Sequence, residues 1–334
     1  MLHDLVKPVH MQVKHPGHHW LGPVATELIH VNLAMEEAVL GAGAGLEAVL
    51  KNPGLTGGKQ VRPSLVILSA QCYQYCRERV VPMAAVVELV HTATLVHDDV
   101  IDQATTRRGS PTVARVWGRR KAILLGDYLF ARAFELLASL DQPELVRGMA
   151  RVVHRICQGE IQQLDDQGCF AISEAHYYQR ISAKTAVFIA ECCRAGAVLG
   201  GAGDAGAKAL EDYGSNVGLA YQIVDDVLDF LPAGDDLGKP VGHDLRAGIA
   251  TLPLILACQG PAGGEIAGLL PGYAHESVAT RIRQLVLESG AVHEALDRAA
   301  ELTGRALRAL ETVPPGPSRS ALGELAELLC LRLQ

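Results

Sequence analysis

The sequence is poor in aromatic side chains and has no excess of positive charge. Phe, Trp and Tyr make up 4% of its 334 residues, and 30 Lys and Arg residues face 37 Asp and Glu residues, for a net charge of −7. Proteins that bind nucleic acid usually present basic surfaces or aromatic platforms for the bases. We therefore expect no nucleic-acid partner.

Metal-binding cysteine pairs, long apolar runs and a leader-like N-terminus are missing as well. The eight cysteines include no CxxC pair and match no zinc-site spacing. The apolar run around AAVVELV is interrupted by Glu88 and His91, and the first twenty residues contain no compact apolar segment typical of a signal peptide. These absences predict a cytoplasmic protein with reduced thiols and no stable membrane insertion.

Apolar residues, by contrast, make up 49% of the chain and recur with the 3.6-residue period of α-helices. Helices are predicted at roughly 23–51, 61–76, 81–102, 111–140, 143–165, 173–200, 204–232, 250–259, 274–289, 292–311 and 318–332. Ser173 and Asp204 are the expected N-caps of two of them. The sequence thus predicts one all-α domain of about ten helices over residues 23–334, preceded by a flexible arm over residues 1–22.

Two aspartate-rich motifs stand out in this apolar background. LVHDDVIDQATTRRGSPT covers residues 95–112, and YQIVDDVLDF covers residues 221–230. Asp98 and Asp102 lie one helical turn apart, where like charges repel and are costly beside an apolar stripe. A solvated helix end would explain one such motif but not two. Mg²⁺ prefers carboxylate oxygens and bridges to phosphates, so facing clusters would hold a diphosphate.

Basic side chains near these motifs support two anion-binding sites. Arginine suits the oxygens of a phosphate, and glycines beside a lysine allow close approach of the backbone to an anion. The candidates are Arg107, Arg108, Lys59 and Arg62 in GGKQVRP, Lys184 beside Thr185 in ISAKTA, and Lys239. Helical spacing also aligns His91 with Asp98 and Asp102, and Gln222 with Asp225 and Asp229. Such polar stripes predict a cavity inside a helix bundle.

The order of several segments resembles the trans-isoprenyl diphosphate synthases, or polyprenyl synthetases. These segments are GGKQVRP, HTATLVHDDVID, RRGSPT, LLGDYLFARAFELL, GEIQQL, ISAKTA, YQIVDDVLDF and GKPVGHDLRAGIATLPLI, over residues 57–255. The resemblance implies mostly antiparallel helices around a deep central cavity, usually in a homodimer. It also implies Mg²⁺-dependent ionisation of an allylic diphosphate, attack by isopentenyl diphosphate and loss of a proton, giving a trans product five carbons longer.

The resemblance also assigns roles to individual residues. About three Mg²⁺ ions would be held chiefly by Asp98, Asp102 and Asp225, with support from Asp99, Asp226 and Asp229. Arg107, Lys184 and Lys239 would face the allylic diphosphate. Lys59, Arg62, His91 and Arg108 would hold isopentenyl diphosphate, and Thr185 and Gln222 would steady the cation or the migrating proton. The chain departs from the family pattern at Ile249 and Gln60, where many relatives carry a basic residue.

The resemblance also implies that the residues four and five positions before the first motif act as a floor for the growing chain. Thr94 and Ala93 are small there, and bulky aromatics would be typical of short-chain enzymes. Residues 83–98 could wall roughly 20 Å of tunnel. HTATLVHDDVID also resembles the medium- and long-chain synthases that make quinone side chains, and this resemblance implies a product beyond C20, of roughly C30 to C50. Phe130 and Phe134 are candidates for a deeper floor.

Other functions compete with this interpretation. A geranylgeranyl or farnesyl diphosphate synthase would share every motif, as would the catalytic subunit of a heteromeric hexaprenyl or heptaprenyl diphosphate synthase. A terpene cyclase would share the metal chemistry but would not need a second diphosphate site. A metal-storing helical bundle would leave the RRG, GGK and KT segments unexplained.

Overall fold

The computed structural model describes residues 19–39, 58–231 and 242–330, and it confirms the predicted all-α fold. The N-terminal half contains α1 (Ala25–Val39), α2 (Val61–Gln71), α3 (Arg77–Ile101), α4 (Val113–Trp117), α5 (Arg119–Ala138), α6 (Pro143–Asp165), α7 (Glu174–Ile181) and α8 (Val187–Leu199). The C-terminal half contains α9 (Asp204–Leu228), α10 (His243–Arg246), α11 (Leu252–Gln259), α12 (Gly263–Leu269), α13 (Glu276–Glu288), α14 (Ala291–Leu310) and α15 (Pro317–Cys330).

Local capping chemistry explains several helix boundaries. The Ser173 hydroxyl accepts a hydrogen bond from the His176 N–H at 3.2 Å, so Ser173 is the N-cap of α7 as predicted. At α9 the prediction was wrong by one residue, because Gly203 occupies the N-cap position and Asp204 begins the helix. Its carboxylate still lies in the first turn, where negative charge complements the helix dipole.

Two predicted helices are interrupted. The helix expected over 111–140 is divided at Gly118, whose φ of 84° ends α4 and starts α5. The helix expected over 173–200 contains a π-helical turn, Ser182–Ala186, between α7 and α8. Such turns are often found at functional sites, where the extra residue redirects side chains. Lys184 and Thr185 both lie in this turn.

Short elements also occupy segments expected to be irregular. Strands Thr106–Arg107 and Ser110–Pro111 pair antiparallel just after the first aspartate motif. Arg108 and Gly109 connect them with φ of 48° and 76°, as a tight hairpin turn with two positive φ values requires. The helices α10 and α12 were also missed, since each has only four to seven residues.

The N-terminal boundary of the packed fold includes Trp20. A 3₁₀ helix, His19–Val24, precedes α1, and the Trp20 side chain is buried in the core. Residues 1–18 of the expected arm lie outside the described residues. The domain boundary at residue 22 therefore stays a prediction.

Two hydrophobic clusters organise the bundle. The larger contains side chains from α1–α3, α5, α6 and α8, and the smaller is formed by α7, the C-terminal half of α9 and α11–α14. Helix α9 packs along α8 and α14, while α3 packs against α2 and α5. Both aspartate motifs therefore end long core helices.

Helix α3 is long and apolar enough to cross a membrane by length and composition alone. The expectation that no apolar segment is long enough to span a membrane was therefore wrong for this helix of 25 residues. In the folded chain, however, 72% of its most apolar window is buried inside the protein. Such burial is typical of a core helix, because a membrane span would need its apolar surface to face lipid.

Candidate active site

A cavity of about 290 Å³ opens between α2, α3, α6, α8, α9 and the π-helical turn. The side chains that line it come from both halves of the fold, and they include members of both aspartate motifs and of the basic segments. They are Arg62, His91, Thr94, Leu95, Asp98, Asp102, Ile156, Glu160, Gln163, Lys184, Thr185, Phe188, Tyr221, Gln222 and Asp225. Residues from five of the sequence segments named above thus meet at one concave site.

The first motif presents two of its aspartates to this cavity. Asp98 and Asp102 line it, while Asp99 is 1% exposed and points elsewhere. Asp99 Oδ1 accepts a hydrogen bond from Arg107 Nε at 2.9 Å. Burial, together with the negative charges of Glu160 and Asp102, raises the pKa of Asp98 to about 7. The cavity therefore favours an added cation.

In the second motif, one aspartate lines the cavity and two are held by protein groups. Asp225 is the lining residue. Asp226 is buried, and burial raises the pKa of its carboxyl, as does the nearby charge of Asp244. The Asp229 carboxylate accepts the N–H groups of His243 at 3.0 Å and Asp244 at 2.9 Å, which ties the first turn of α10 to the end of α9.

Lys184 reaches the cavity from the π-helical turn. Its ammonium lies 2.8 Å from Glu160 Oε1 and donates to Gln163 Oε1 at 2.9 Å. The stem of Lys184 crosses Gly159, where an added Cβ would lie 2.9 Å from Lys184 Cγ. A glycine at this position of α6 is needed for that approach.

Arg62 and His91 form a second polar group on the cavity wall. Arg62 Nη1 lies 3.1 Å from His91 Nε2, and the guanidinium stands 5.2 Å from the centroid of the Phe188 ring. Burial and the nearby Arg62 and Arg108 charges hold the pKa of His91 well below its usual value. The imidazole is thus neutral, and the positive charge of this group lies on arginine.

Arg108 packs against the glycine-rich segment that precedes α2. An added Cβ on Gly58 would lie 2.9 Å from Arg108 Nη1, so a larger residue would displace the guanidinium. Burial raises the pKa of Glu88, one turn below His91, although Arg62 and Arg108 oppose this shift. The charges of Arg62 and Arg108 therefore both influence the part of α3 that contains Glu88 and His91.

A chain of hydrogen bonds leads from the cavity into the core. The Thr185 hydroxyl donates to Gln222 Oε1 at 2.8 Å, and Gln222 Nε2 donates to Asp226 Oδ1 at 2.8 Å. The other oxygen of Asp226 accepts the Tyr177 hydroxyl proton at 2.7 Å. Thr185 and Gln222 line the cavity, whereas Asp226 and Tyr177 lie behind its wall.

Several predicted residues lie away from the cavity wall. Arg107 is directed to Asp99, Lys59 is exposed beside Gly58, and Gln60 donates to Asn32 Oδ1 at 2.7 Å. Lys239 lies outside the described residues. Ile249, the other departure from the family pattern, is partly buried.

Of the residues expected to set the chain length of the product, one lines the cavity and three do not. Thr94 lines the cavity, with its hydroxyl turned back to the His91 carbonyl at 2.8 Å. Ala93 is fully buried in the core and is not among the lining side chains. Phe130 and Phe134 are partly buried against the larger core cluster, where Phe130 also contacts the His97 ring.

Sequence reasoning missed four polar side chains that contribute to this region, together with the apolar lining residues Leu95, Ile156 and Phe188. Glu160, Gln163 and Tyr221 line the cavity, and Tyr177 ends the hydrogen-bond chain. A signal for two of them was present, because Glu160 and Gln163 are one turn apart in GEIQQL and share a helix face. Tyr177 precedes Lys184 by seven residues, which is also a same-face spacing on a regular helix.

The aspartates do not form a closed metal centre by themselves. Among the described residues, no three His, Cys, Asp or Glu side chains converge closely enough to hold an ion alone. Mg²⁺ keeps several waters and is usually bound through one or two carboxylates together with substrate phosphates. An open set of carboxylates around Asp98, with its raised pKa, fits ions that enter together with a diphosphate.

A family model covers the part of the chain that contains this cavity. The polyprenyl synthetase model matches residues 45–283, which is more than half of the chain. The chain belongs to the polyprenyl synthetase family. It is therefore a prenyltransferase, as the motif order predicted, and the terpene-cyclase and metal-storage alternatives are wrong.

Curated relatives of this family cover most of the chain. It is 36% identical to heptaprenyl diphosphate synthase component 2 of Bacillus subtilis, over 82% of this chain and 78% of that relative. It is 36% identical to a geranyl-diphosphate-specific all-trans-nonaprenyl-diphosphate synthase of Rhodobacter capsulatus, over 94% and 97%, respectively. With octaprenyl diphosphate synthase of Escherichia coli the identity is 35%, over 83% of this chain and 86% of that enzyme.

Solved structures agree in fold along nearly the whole chain. A polyprenyl synthase of Caulobacter crescentus, crystallised with calcium and isoprenyl diphosphate, superposes with a TM-score of 0.87 at 36% identity, over 95% of this chain and 98% of that one. A decaprenyl diphosphate synthase of Rhodobacter capsulatus gives a TM-score of 0.87 at 31% identity, over 96% and 100%. The predicted isoprenoid synthase fold is confirmed.

Proposed function

We propose that this chain condenses isopentenyl diphosphate with an allylic diphosphate, head to tail and in trans, to make a polyprenyl diphosphate of roughly C30 to C50. One observation carries the proposal. A single cavity joins the carboxylates of Asp98, Asp102 and Asp225 to two separate basic groups, one at Lys184 and one at Arg62. An enzyme that condenses two substrates, each of which carries a diphosphate, needs two anion sites. A cyclase has one such substrate and needs only one anion site.

Divalent ions would supply charge stabilisation for the departing diphosphate. Asp98, Asp102 and Asp225 would hold Mg²⁺, in a set of about three ions. Lys184 would help to bind the allylic diphosphate, and it would have to exchange Glu160 for a phosphate oxygen. Arg107 is engaged with Asp99, which supports a role in fixing that aspartate more than a direct contact with substrate.

The second diphosphate, that of isopentenyl diphosphate, would bind at Arg62, His91 and Arg108, with Lys59 at the entrance. Burial together with the positive charges of Arg62 and Arg108 lowers the pKa of His91, and these charges support the assignment. Leu95, Ile156 and Phe188 line the same cavity and would help to exclude water from the allylic cation. The departing diphosphate is itself a suitable base for the final proton.

The lining residues support a long product. Thr94 and Leu95, which precede Asp98 on α3, are not aromatic, although Phe188 and Tyr221 also line the cavity. The relatives named above are named for heptaprenyl, octaprenyl and nonaprenyl diphosphates, and we propose that the product of this chain supplies a quinone side chain. Phe130 and Phe134 remain candidates for a deeper floor.

A second candidate function concerns assembly. The Bacillus subtilis relative is a component 2, so a catalytic subunit that requires an unlike partner is the alternative to our proposed homodimer. Exposed apolar side chains on α1 and α5, namely Ile29, Leu33, Ile123 and Leu124, support association of either kind. We propose a cytoplasmic homodimer.

Product analysis tests the proposed function. The purified chain alone is incubated with Mg²⁺, labelled isopentenyl diphosphate and farnesyl diphosphate, and the dephosphorylated products are sized. We expect a ladder that ends at C30 or beyond. An end at C20 would identify a geranylgeranyl diphosphate synthase, and no product from folded protein would support the heteromeric alternative.

A substitution on the cavity wall sharpens the chain-length proposal. Thr94→Phe is expected to shorten the product by one or more isoprene units, because the ring would enter the cavity below Asp98. Ala93→Phe, proposed from the sequence, should shorten it too if the growing chain passes that face of α3. Unchanged product length in both variants would eliminate this part of α3 as the floor.

A further inference from the structure

The hydrogen-bond chain behind the cavity wall ends on Tyr177, which belongs to none of the sequence motifs. Its hydroxyl donates to Asp226 Oδ2 at 2.7 Å, while Gln222 Nε2 donates to Asp226 Oδ1 at 2.8 Å. Both carboxylate oxygens of Asp226 are thus engaged by protein donors. Tyr177 is fully buried and Asp226 nearly so, and neither lines the cavity.

The ring of Tyr177 is fixed on several sides. The Arg180 guanidinium lies 5.8 Å from its centroid, and the same guanidinium donates to the Ala250 carbonyl. The Tyr178 ring meets it edge-on with centroids 5.6 Å apart. Tyr177 also belongs to the smaller core cluster together with Ile223 of α9. The position of the hydroxyl relative to Asp226 is therefore set by packing, independently of any ligand.

This arrangement determines which end of the Gln222 amide faces the cavity. Both oxygens of Asp226 act as hydrogen-bond acceptors, so Oδ1 takes its hydrogen bond from the NH₂ end of the Gln222 amide. The carbonyl end is then turned to Thr185, whose hydroxyl donates to it at 2.8 Å on the cavity wall. An oriented carbonyl dipole at this point presents its negative end to a developing carbocation, without reorganisation during the reaction.

We propose that Tyr177 is a positioning residue for prenyl transfer, which acts through Asp226 to hold the Gln222 carbonyl toward the reacting carbon atoms. This inference rests on the proposed function. Without the Tyr177 hydroxyl, the carboxylate of Asp226 can rotate and choose other donors, and the amide of Gln222 loses its fixed orientation. Diphosphate binding, which uses other residues, should change little.

The test is a kinetic cycle with Tyr177→Phe, which removes one oxygen atom and keeps the ring. We expect kcat to fall about tenfold or more while both KM values stay within about twofold, because the oriented dipole acts in the transition state. In a Gln222→Leu background, the same change should lower kcat by less than about twofold. Tyr178→Phe removes a hydroxyl at the adjacent position, outside the hydrogen-bond chain, and should retain normal kcat.

Two results would overturn the inference. One is normal kcat in Tyr177→Phe. The other is a full additional loss in the Gln222→Leu background, since a merely structural tyrosine would act independently of Gln222. If Tyr177→Phe does not fold, 3,5-difluorotyrosine at this position keeps the ring and makes the hydroxyl more acidic. We then expect a change in kcat that disappears in Gln222→Leu, and an unchanged kcat would contradict the inference.

A readout that does not depend on turnover separates this inference from the proposed function. The side-chain amide protons of Gln222 should exchange slowly with solvent in the wild type, and about tenfold faster in Tyr177→Phe. Equal exchange in both proteins would contradict the orienting role. A wild type with slow exchange and no prenyl transfer would instead contradict only the proposed function.

Discussion

The two aspartate motifs have the same spacing, yet their side chains are used differently. In the first, Asp98 and Asp102 face the cavity and Asp99 pairs with the cation Arg107. In the second, only Asp225 is a lining residue, because Asp226 binds the neutral donors Gln222 and Tyr177 and Asp229 binds the backbone of α10. The spacing alone therefore does not identify a metal ligand.

The difference follows from where each motif lies. The first ends α3, and a two-stranded hairpin directly after it returns Arg107 to Asp99. The second ends α9, where the next described element, α10, begins at His243 and offers N–H groups instead of a cation. Asp99 is therefore held chiefly by an ion pair with Arg107. Asp226 is held by hydrogen bonds from the neutral donors Tyr177 and Gln222.

The largest effect is expected at the cavity-facing position of the first motif. Asp98→Ala should lower turnover at least about 10³-fold while the fold survives, because it removes a metal ligand at the site of ionisation. Steady-state kinetics and circular dichroism measure the two quantities. Asp165→Ala, at the exposed end of α6, is the matched control. Near-normal turnover in Asp98→Ala would break the distinction between cavity-facing and supporting aspartates.

Asp99 and Asp226, which do not line the cavity, should differ in how much their partners contribute to the stability of the fold. Arg107→Gln leaves a buried carboxylate without its cation, and we expect it to lower the free energy of unfolding by about 2–4 kcal/mol, allowing for the partial exposure of Arg107. Tyr177→Phe removes one neutral donor and should cost about 1–2 kcal/mol. Urea unfolding gives both values. A larger loss of unfolding free energy in Tyr177→Phe than in Arg107→Gln would contradict the proposal that the ion pair of Asp99 contributes more stability than a neutral hydrogen bond of Asp226.

A smaller effect is expected at the last aspartate of the second motif. Asp229→Ala removes the acceptor for two N–H groups of α10 and should cost about 1 kcal/mol of stability, as for a lost helix cap. Asp229→Asn keeps one acceptor oxygen and should recover part of it. Turnover should fall far less than in Asp98→Ala, and an equal fall would identify Asp229 as a metal ligand instead.

The smallest effect concerns pH in the absence of divalent ions. The pKa of Asp98 is raised to about 7 from its usual 3.8, so ionisation of the folded chain is unfavourable there. Stability should therefore be lost as pH rises from about 4 through 7. With a chelator at pH 8, Asp98→Asn should melt about 2 °C above the wild type, and the two should converge at pH 4. A lower melting temperature for Asp98→Asn at pH 8 would contradict the burial argument.

Much of the fold was predictable because its long helices carry strong 3.6-residue patterns. The helix predicted over 143–165 is Pro143–Asp165, and the one predicted over 292–311 is Ala291–Leu310. Non-local features were not predictable. No local signal marks the π-helical turn around Lys184, and α10 is held in part by Asp229, fourteen residues earlier in the chain.

The candidate site was predictable to the same extent. Aspartates, arginines and Lys184 stand out as charges in apolar segments, and half of those predicted for the site line the cavity, namely Asp98, Asp102, Asp225, Arg62 and Lys184. Burial decides, however, which of these residues face the cavity and which bind other protein groups, and burial depends on neighbours far along the chain. The contact of Tyr177 with Asp226 spans 49 residues, and no pattern in either segment predicts it.

Calorimetric binding of inorganic diphosphate with Mg²⁺ tests the central claim most directly, that the two motifs form one ion-dependent site with unequal members. We expect binding by the wild type only when Mg²⁺ is present. Asp98→Asn and Asp225→Asn should each abolish it, while Asp229→Asn should weaken it by less than about tenfold. Full binding by either Asp98→Asn or Asp225→Asn, or binding by the wild type without Mg²⁺, would contradict the account.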